Sequence, residues 1–359
     1  MAILNPTNYT FTRREVQTLS EAIFEALFQK QAITEFHQIF TGIKANKQIV
    51  FLGKLGLLGK EKTTCSTTAD TASIDISEKV WTPAYIAARI EDCWTDLEAS
   101  FFAWATKNGV NKTNILDTDF ANFVEERLTD AAVEAAWRIA WFGDTDAANF
   151  NDSPAGYITN GIDVDYFNPI DGFWKQLFAV GTATAARLVS NLTAKNAEAT
   201  YADQAFDSTD LTNRIATGTL HSLKVGADFR LRDRSDLVYL VTQSVFDQYA
   251  YELEMQGVDS SFKRIEGGFT MLSYNGIPVI AVNFFDRMIS LYQDSGSNNY
   301  RPHRAVLTTT ENLGLGVEEV GNLSEVAAFY AEYEEKYVAK FAFNIDAKVL
   351  EDYMVQLAY

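Results

Sequence analysis

Apolar and polar residues follow three rhythms along this chain, and each rhythm predicts a different element. The helical rhythm appears twice. Thr12 and Glu15 form a capping box ahead of Val16, Leu19, Ile23, Ala26 and Leu27, which predicts a helix over about 13–29. In "TDFANFVEERLTDAAVEAAWRIAWFGD", Phe120, Phe123, Val124, Leu128, Ala131, Ala135 and Ile139 form one stripe. Thr118 or Asp119 stands at its start and Gly143 at its stop. That predicts a helix of about six turns over 119–142. The strand rhythm is clearest near the end. Tyr337, Ala339, Phe341, Phe343, Ile345, Ala347 and Val349 alternate there with polar Lys340, Asn344, Asp346 and Lys348.

The third rhythm is the short unbroken apolar run. "LVYLV" at 237–241 predicts a buried strand, and Ser244 and Asp247 are candidate caps for a helix that ends before Gly257. "FTMLSYNGIPVIAV" predicts a hairpin turning at Asn275-Gly276, and "HRAVLTT" and "LGLGVE" predict further strands. "YIAARIEDCWTDLEASFFAW" is apolar enough to face a core. Between Thr41 and Trp81 no rhythm holds. Gly, Lys, Thr and Ser dominate, with short β-like pieces at 48–52 and 73–76, so the expectation is a long extended hairpin. The class is α+β, with no internal repeat and no regular βαβ succession.

Composition narrows this picture. With 359 residues, 47% hydrophobic and only 6 prolines, the chain can bury a real core throughout. The formal net charge of -18 repels nucleic acid phosphates and anionic lipid. The short basic stretch "FRLRDR" is flanked by aspartates and reads as a charged turn. The start lacks the pattern of a signal peptide, and no apolar run approaches the ~20 residues of a membrane helix. Cys65 and Cys93 are too few for a disulfide framework. The expectation is a soluble, acidic protein made inside a cell.

"VFLGKLGLLGKEKTT" at 50–64 is the stretch that most suggests chemistry, with Gly53, Gly56 and Gly59 ahead of Lys60. A phosphate loop needs glycine at position 54, where Lys54 stands, and Ser or Thr after the lysine, where Glu61 stands. A flexible, solvent-reaching loop fits better. His37, His221 and His303 have no metal-type spacing and read as structural. Two acidic loops, with Asp144 and Asp146 in one and Asp163 and Asp165 in the other, break the calcium-loop pattern and read as acidic turns. Glu125-Glu126 and Glu318-Glu319 are adjacent and do not share a helix face. Trp137 and Trp141 point the same way on the long helix, as a core or subunit contact would require. Nothing assembles a nucleophile, base and oxyanion site, and no cofactor is expected.

The order of these parts resembles the Hong Kong 97-type major capsid protein of tailed bacteriophages. "ERLTDAAVEAAWRIAWFGDTDAA" looks like that family's spine helix and the turn ending it. "YLVTQSVFDQYAYELEMQG" with "FTMLSYNGIPVIAV" looks like its axial domain, and "HRAVLTTTENLGLGV" with the terminal strand looks like the return to its peripheral domain. The resemblance runs from about residue 12 to the end. It implies an N-terminal arm and helix over 1–40 and an extended loop over 41–82. It implies a peripheral domain over 83–165 with its spine helix at about 119–142, an axial domain over 166–302, and a return over 303–359.

The resemblance also implies function. The protein would form pentamers and hexamers of itself in an icosahedral shell around double-stranded DNA, within a virion. The glycine finger would reach a neighbouring subunit through Lys54, Gly56, Gly59, Lys60 and Lys62. Some relatives join a loop lysine to an asparagine by an isopeptide bond, and those positions have no match here. Some carry a fused scaffolding segment of about a hundred residues before the first helix, where about eleven residues stand here. A separate scaffolding protein, or none, is therefore expected, alongside portal and minor capsid proteins. The alternatives are an encapsulin-type compartment shell, a tail or neck protein forming rings, and an enzyme with a site around Asp163 to Trp174.

Overall fold

The computed structural model describes residues 37–43, 48–55, 74–93, 119–147, 164–256, 263–264, 270–318, 326–331 and 336–359. The expected helix over 13–29, the stretch 94–104 and Cys65 lie outside the described residues. The strands are β1 (Gln38–Phe40), β2 (Gln48–Leu55), β3 (Ile74–Val80), β4 (Ala84–Cys93), β5 (Leu188–Val189), β6 (Leu237–Val241), β7 (Lys263–Arg264), β8 (Thr270–Tyr274), β9 (Ile277–Ala281), β10 (Ala305–Thr309), β11 (Leu313–Val317), β12 (Val326–Ala331), β13 (Lys336–Val349) and β14 (Gln356–Ala358). The longer helices are α1 (Asp119–Phe142), α2 (Phe173–Ala183), α3 (Ile215–Gly226), α4 (Gln243–Met255) and α5 (Asn283–Tyr292).

Among the described residues the strands form three sheets. The first is organised by β13, the long alternating strand. One edge of β13 pairs antiparallel with β12 and then β11, and its other edge pairs with β4. β1 adds in parallel to β11. From Lys340 to Val349 the alternation read from the sequence is the observed one, while Val338, in the opposite phase, is buried too. Phe341, Phe343, Ile345, Ala347 and Val349 are buried, and Lys340 is exposed. Asp346 breaks the rule. It is buried because its carboxylate accepts the Thr82 and Ala347 backbone N–H groups. β4 faces the core on one side only. Ala84, Ile86 and Ala88 pack against it, while Tyr85 is 69% exposed.

The second sheet has the order β5-β14-β10-β6-β9-β8-β7 and is covered on both faces. Val238, Leu240, Ile280, Val306 and Leu357 point into the core that α1, α2 and α5 share with the first sheet. Leu237, Tyr239, Val241, Val279, Ala281, Ala305 and Leu307 point into a second core under α3 and α4. This double burial explains the unbroken "LVYLV" run, since no residue of β6 faces water. The turn between β8 and β9 places Asn275 and Gly276 at φ +50° and +78°, the left-handed values a two-residue hairpin turn requires.

Two expectations about helix ends gain different reasons. Gly143 does end α1, but through close approach. A Cβ there would sit 2.5 Å from the carbonyl oxygens of Ile139 and Ile170. The chain crosses itself at this point, and the Gly172 N–H donates to the Gly143 carbonyl at 2.7 Å. At α4, neither Ser244 nor Asp247 is the cap. Asp286, from α5, accepts the Gln243 N–H at 2.7 Å. The Ser244 hydroxyl turns instead to His303, and Asp247 accepts from the Gln243 side chain.

Candidate functional site

The third sheet is the antiparallel pair β2 and β3, the expected extended hairpin. Its register runs from Gln48 opposite Val80 to Leu52 opposite Ile76, then shifts before Leu55 pairs with Ile74. Gly53 and Lys54 lie within that irregular step, where an unpaired residue bends a strand. The strand therefore includes Lys54, one of the five candidate contact residues. Gly56, Gly59, Lys60 and Lys62 lie outside the described residues.

The root of this hairpin is firmly held. Trp81, directly after β3, is 1% exposed and packs on Gly316 of β11. Lys79 donates from Nζ to the Val349 carbonyl at 2.6 Å and to Asp352 at 2.8 Å. Ile43, before β2, is also buried, and its N–H bonds the Val317 carbonyl. The residues flanking β2 and β3 thus tie the base of the hairpin to the first sheet.

The acidic turns prove to be salt-bridged. Asp144, Asp146 and Asp171 all reach the Lys175 ammonium, at 2.6, 2.7 and 2.8 Å. Burial disfavours the charged lysine, yet the three carboxylates outweigh it and raise its pKa. Burial likewise pushes Asp171 up, but hydrogen bonds from Lys175 and Thr145 win and lower it. An internal cation therefore fills the position where calcium was weighed, and it pins the end of α1 to the start of α2. Asp163 lies outside the described residues, and Asp165 sits in a short 3-10 turn.

The histidines take structural positions. His37 stacks on Phe173 at 5.1 Å and meets Trp137 and Trp141 edge-on. His221 is exposed beside the Tyr274 hydroxyl. His303 Nε2 donates to the Gln204 carbonyl at 2.7 Å, so Nδ1 accepts from the Ser244 hydroxyl at 2.8 Å. Burial holds this ring neutral, with its pKa pushed down to about 4. Trp137 and Trp141 are core residues, each 1% exposed among Phe173, Trp174, Phe284 and Phe285.

Sequence reasoning missed a buried cation. Arg304 is fully buried, against the rings of Trp174, Phe178 and Phe142. It donates to Gln293 and to the carbonyls of Tyr300 and Arg301. Burial lowers its pKa to about 9. No local pattern marks such a residue, because its partners come from the loop before it and from aromatics of other elements. The "FRLRDR" stretch is a helical turn and its flank, in which Arg230 and Arg234 are ion-paired. Arg230 and Arg187 both bind Asp228, and Arg234 binds Asp236 and Glu311.

No family model matches the sequence, and no curated protein matches it. Solved structures do match. A chain in the capsid of Myoviridae phage XM1 covers 98% of this chain and is covered over 98% of its own length, at 9% identity and a TM-score of 0.50. A chain of Mycobacterium phage Ogopogo matches over 99% of both chains, also at 9% identity and a TM-score of 0.50. The chain has the Hong Kong 97-type α+β fold of phage capsid proteins.

Proposed function

We propose that this protein is a major capsid protein, the repeated subunit of an icosahedral phage shell that encloses double-stranded DNA. The observation that carries this reading is the end-to-end likeness to a phage capsid chain, over 98% of both molecules. A likeness that spans the whole chain leaves little length for a separate catalytic domain, and it accounts for the hairpin. Two strands that, among the described residues, pair with no third strand and start from an anchored root are suited to reaching another molecule. In this reading the chain divides into 1–40 as arm and first helix, 41–82 as extended loop, 83–165 as peripheral domain, 166–302 as axial domain, and 303–359 as the return.

In this reading the subunit acts by assembly and catalyses no reaction. Its partners are further copies of itself in pentamers and hexamers, with separate scaffolding, portal and minor capsid proteins, and its place is the virion. Lys54, Gly56, Gly59, Lys60 and Lys62 are the hairpin's contact residues, lysines meeting the acidic surface that a charge of -18 implies on every neighbour. Many weak contacts add to a stable shell through multivalency. The negative charge keeps the enclosed DNA from sticking to its wall. Among the described residues no helix is long and apolar enough to cross a membrane.

The test replaces residues 56–73 with a two-residue Asn-Gly turn, which closes β2 on β3. The protein is expected to keep its melting temperature within about 3 °C, since the root contacts remain. It is expected to lose assembly into rings and shells, measured by sedimentation velocity. A variant that assembles like the unaltered protein contradicts the role given to the hairpin.

A further inference from the structure

Among the described residues, most buried or half-buried cations have carboxylate partners. Lys175, Lys195, Arg187 and Arg234 are each tied to at least one Asp or Glu. Arg301 differs. Among the described residues it makes no ion pair and donates no side-chain hydrogen bond, so its five N–H donors are unused. Its guanidinium lies instead over aromatic rings, 4.1 Å from the centre of Tyr359, 4.7 Å from Phe178 and 4.9 Å from Tyr300. Rings hold the plane of an arginine and leave its donor edges open.

The backbone is committed to this pose. Arg301 has φ +46°, a left-handed conformation that strains a residue with a Cβ. Buried Arg304 secures it by bonding the carbonyls of Tyr300 and Arg301 at 2.8 Å each. The Tyr300 N–H bonds the Gln293 carbonyl at 2.9 Å. Arg301 stands at a cleft of about 330 Å³ whose walls include Thr193, Asn298, Asn299 and Tyr359. The Asn299 side chain is also unspent, with its Oδ1 buried and unpartnered. A half-turn of that amide exchanges acceptor for donor.

We propose that this cleft is a carboxylate socket, in which Arg301 receives an Asp or Glu side chain from a second copy of this chain. The proposal rests on the assembly reading above. Charge favours this occupant. The chain carries 48 acidic and 30 basic residues, so a second copy offers more carboxylates than cations to such a cleft. A guanidinium fork bonds a carboxylate through two parallel N–H donors. Nucleic acid phosphate presents similar oxygens, but a lone arginine on a strongly acidic molecule lacks the basic patch that binds a polyanion. Such a socket would supply a charge-paired contact between copies that each carry a net charge of -18.

The experiment compares the unaltered protein with Arg301→Gln and Arg301→Lys. It reads assembly against protein concentration by light scattering, melting temperature, and binding of a labelled duplex oligonucleotide. Arg301→Gln is expected to need about tenfold more protein for half-assembly, with its melting temperature held within about 3 °C. Arg301→Lys is expected to fall between, because lysine keeps the charge and loses the fork. Unchanged assembly in Arg301→Gln overturns the socket and leaves the shell reading standing. Unaltered protein that stays monomeric at every concentration overturns both. Oligonucleotide binding that the Gln variant loses, with assembly intact, assigns the cleft to nucleic acid and overturns the proposal.

Discussion

Arg304 is a full positive charge with no exposed surface, and it holds the loop that carries Arg301. Its donors satisfy the Gln293 side chain and two backbone carbonyls. Arg304→Met keeps much of the volume but leaves those acceptors without a donor. It is expected to destabilise the fold by about 3 kcal/mol, measured by urea unfolding. A loss under about 0.5 kcal/mol would mean that the acceptors find other donors. The adjacent His303 and nearby Asp286 respond to acid in opposite directions. Burial pushes His303 down to about 4, so its neutral form belongs to the folded state. Its contribution is present above the unfolded value near 6.5 and is lost as pH falls toward 4. Burial pushes Asp286 up to about 6, so its protonated form is favoured in the fold, and stability is gained as pH falls from about 6 toward 3.8. The two trends offset each other between pH 6 and 4. Asp286→Asn removes one of them and is expected to make stability fall more steeply over that window. Parallel urea midpoints for variant and unaltered protein at pH 7, 6, 5 and 4 would contradict this.

Elements were legible in proportion to how local their causes are. The stripe from Phe120 to Ile139 and the stop at Gly143 sufficed for α1, and Asn275-Gly276 sufficed for its hairpin. Partnership was not legible. β10 and β11 are separated by three residues, yet one joins the second sheet and the other joins the first. The acidic turn at Asp144 was recognised, but its cation is Lys175, thirty-one positions on and brought near only by the crossing at Gly143 and Gly172. The cap of α4 comes from α5, a choice that no local window contains. The candidate contact residues were chosen for loop chemistry, while Arg301 shows itself only through its backbone angle and its surrounding rings. The chain crossing makes its own prediction. A Cβ at Gly143 meets two backbone carbonyls at 2.5 Å, and neither can rotate aside. Gly143→Ala is expected to cost about 3 kcal/mol by thermal or urea unfolding, the top of the usual range for an added methylene in a core. A neutral effect would mean that α1 and the segment before α2 can separate without loss.

At the scale of the whole molecule, one continuous core joins the long helix α1 to both large sheets, while among the described residues β2 and β3 pair only with each other. The body is built to keep its shape, and the hairpin is fixed at its root to leave that body. Such an arrangement suits the proposed assembly, in which one subunit would meet several neighbours in slightly different settings. The most direct test is electron microscopy of the purified, recombinantly expressed protein, with particle mass measured by light scattering on the same sample. Closed shells, or rings of five and six copies, are the predicted result. A population of single chains at every protein concentration and salt condition would contradict assembly as the function of this protein.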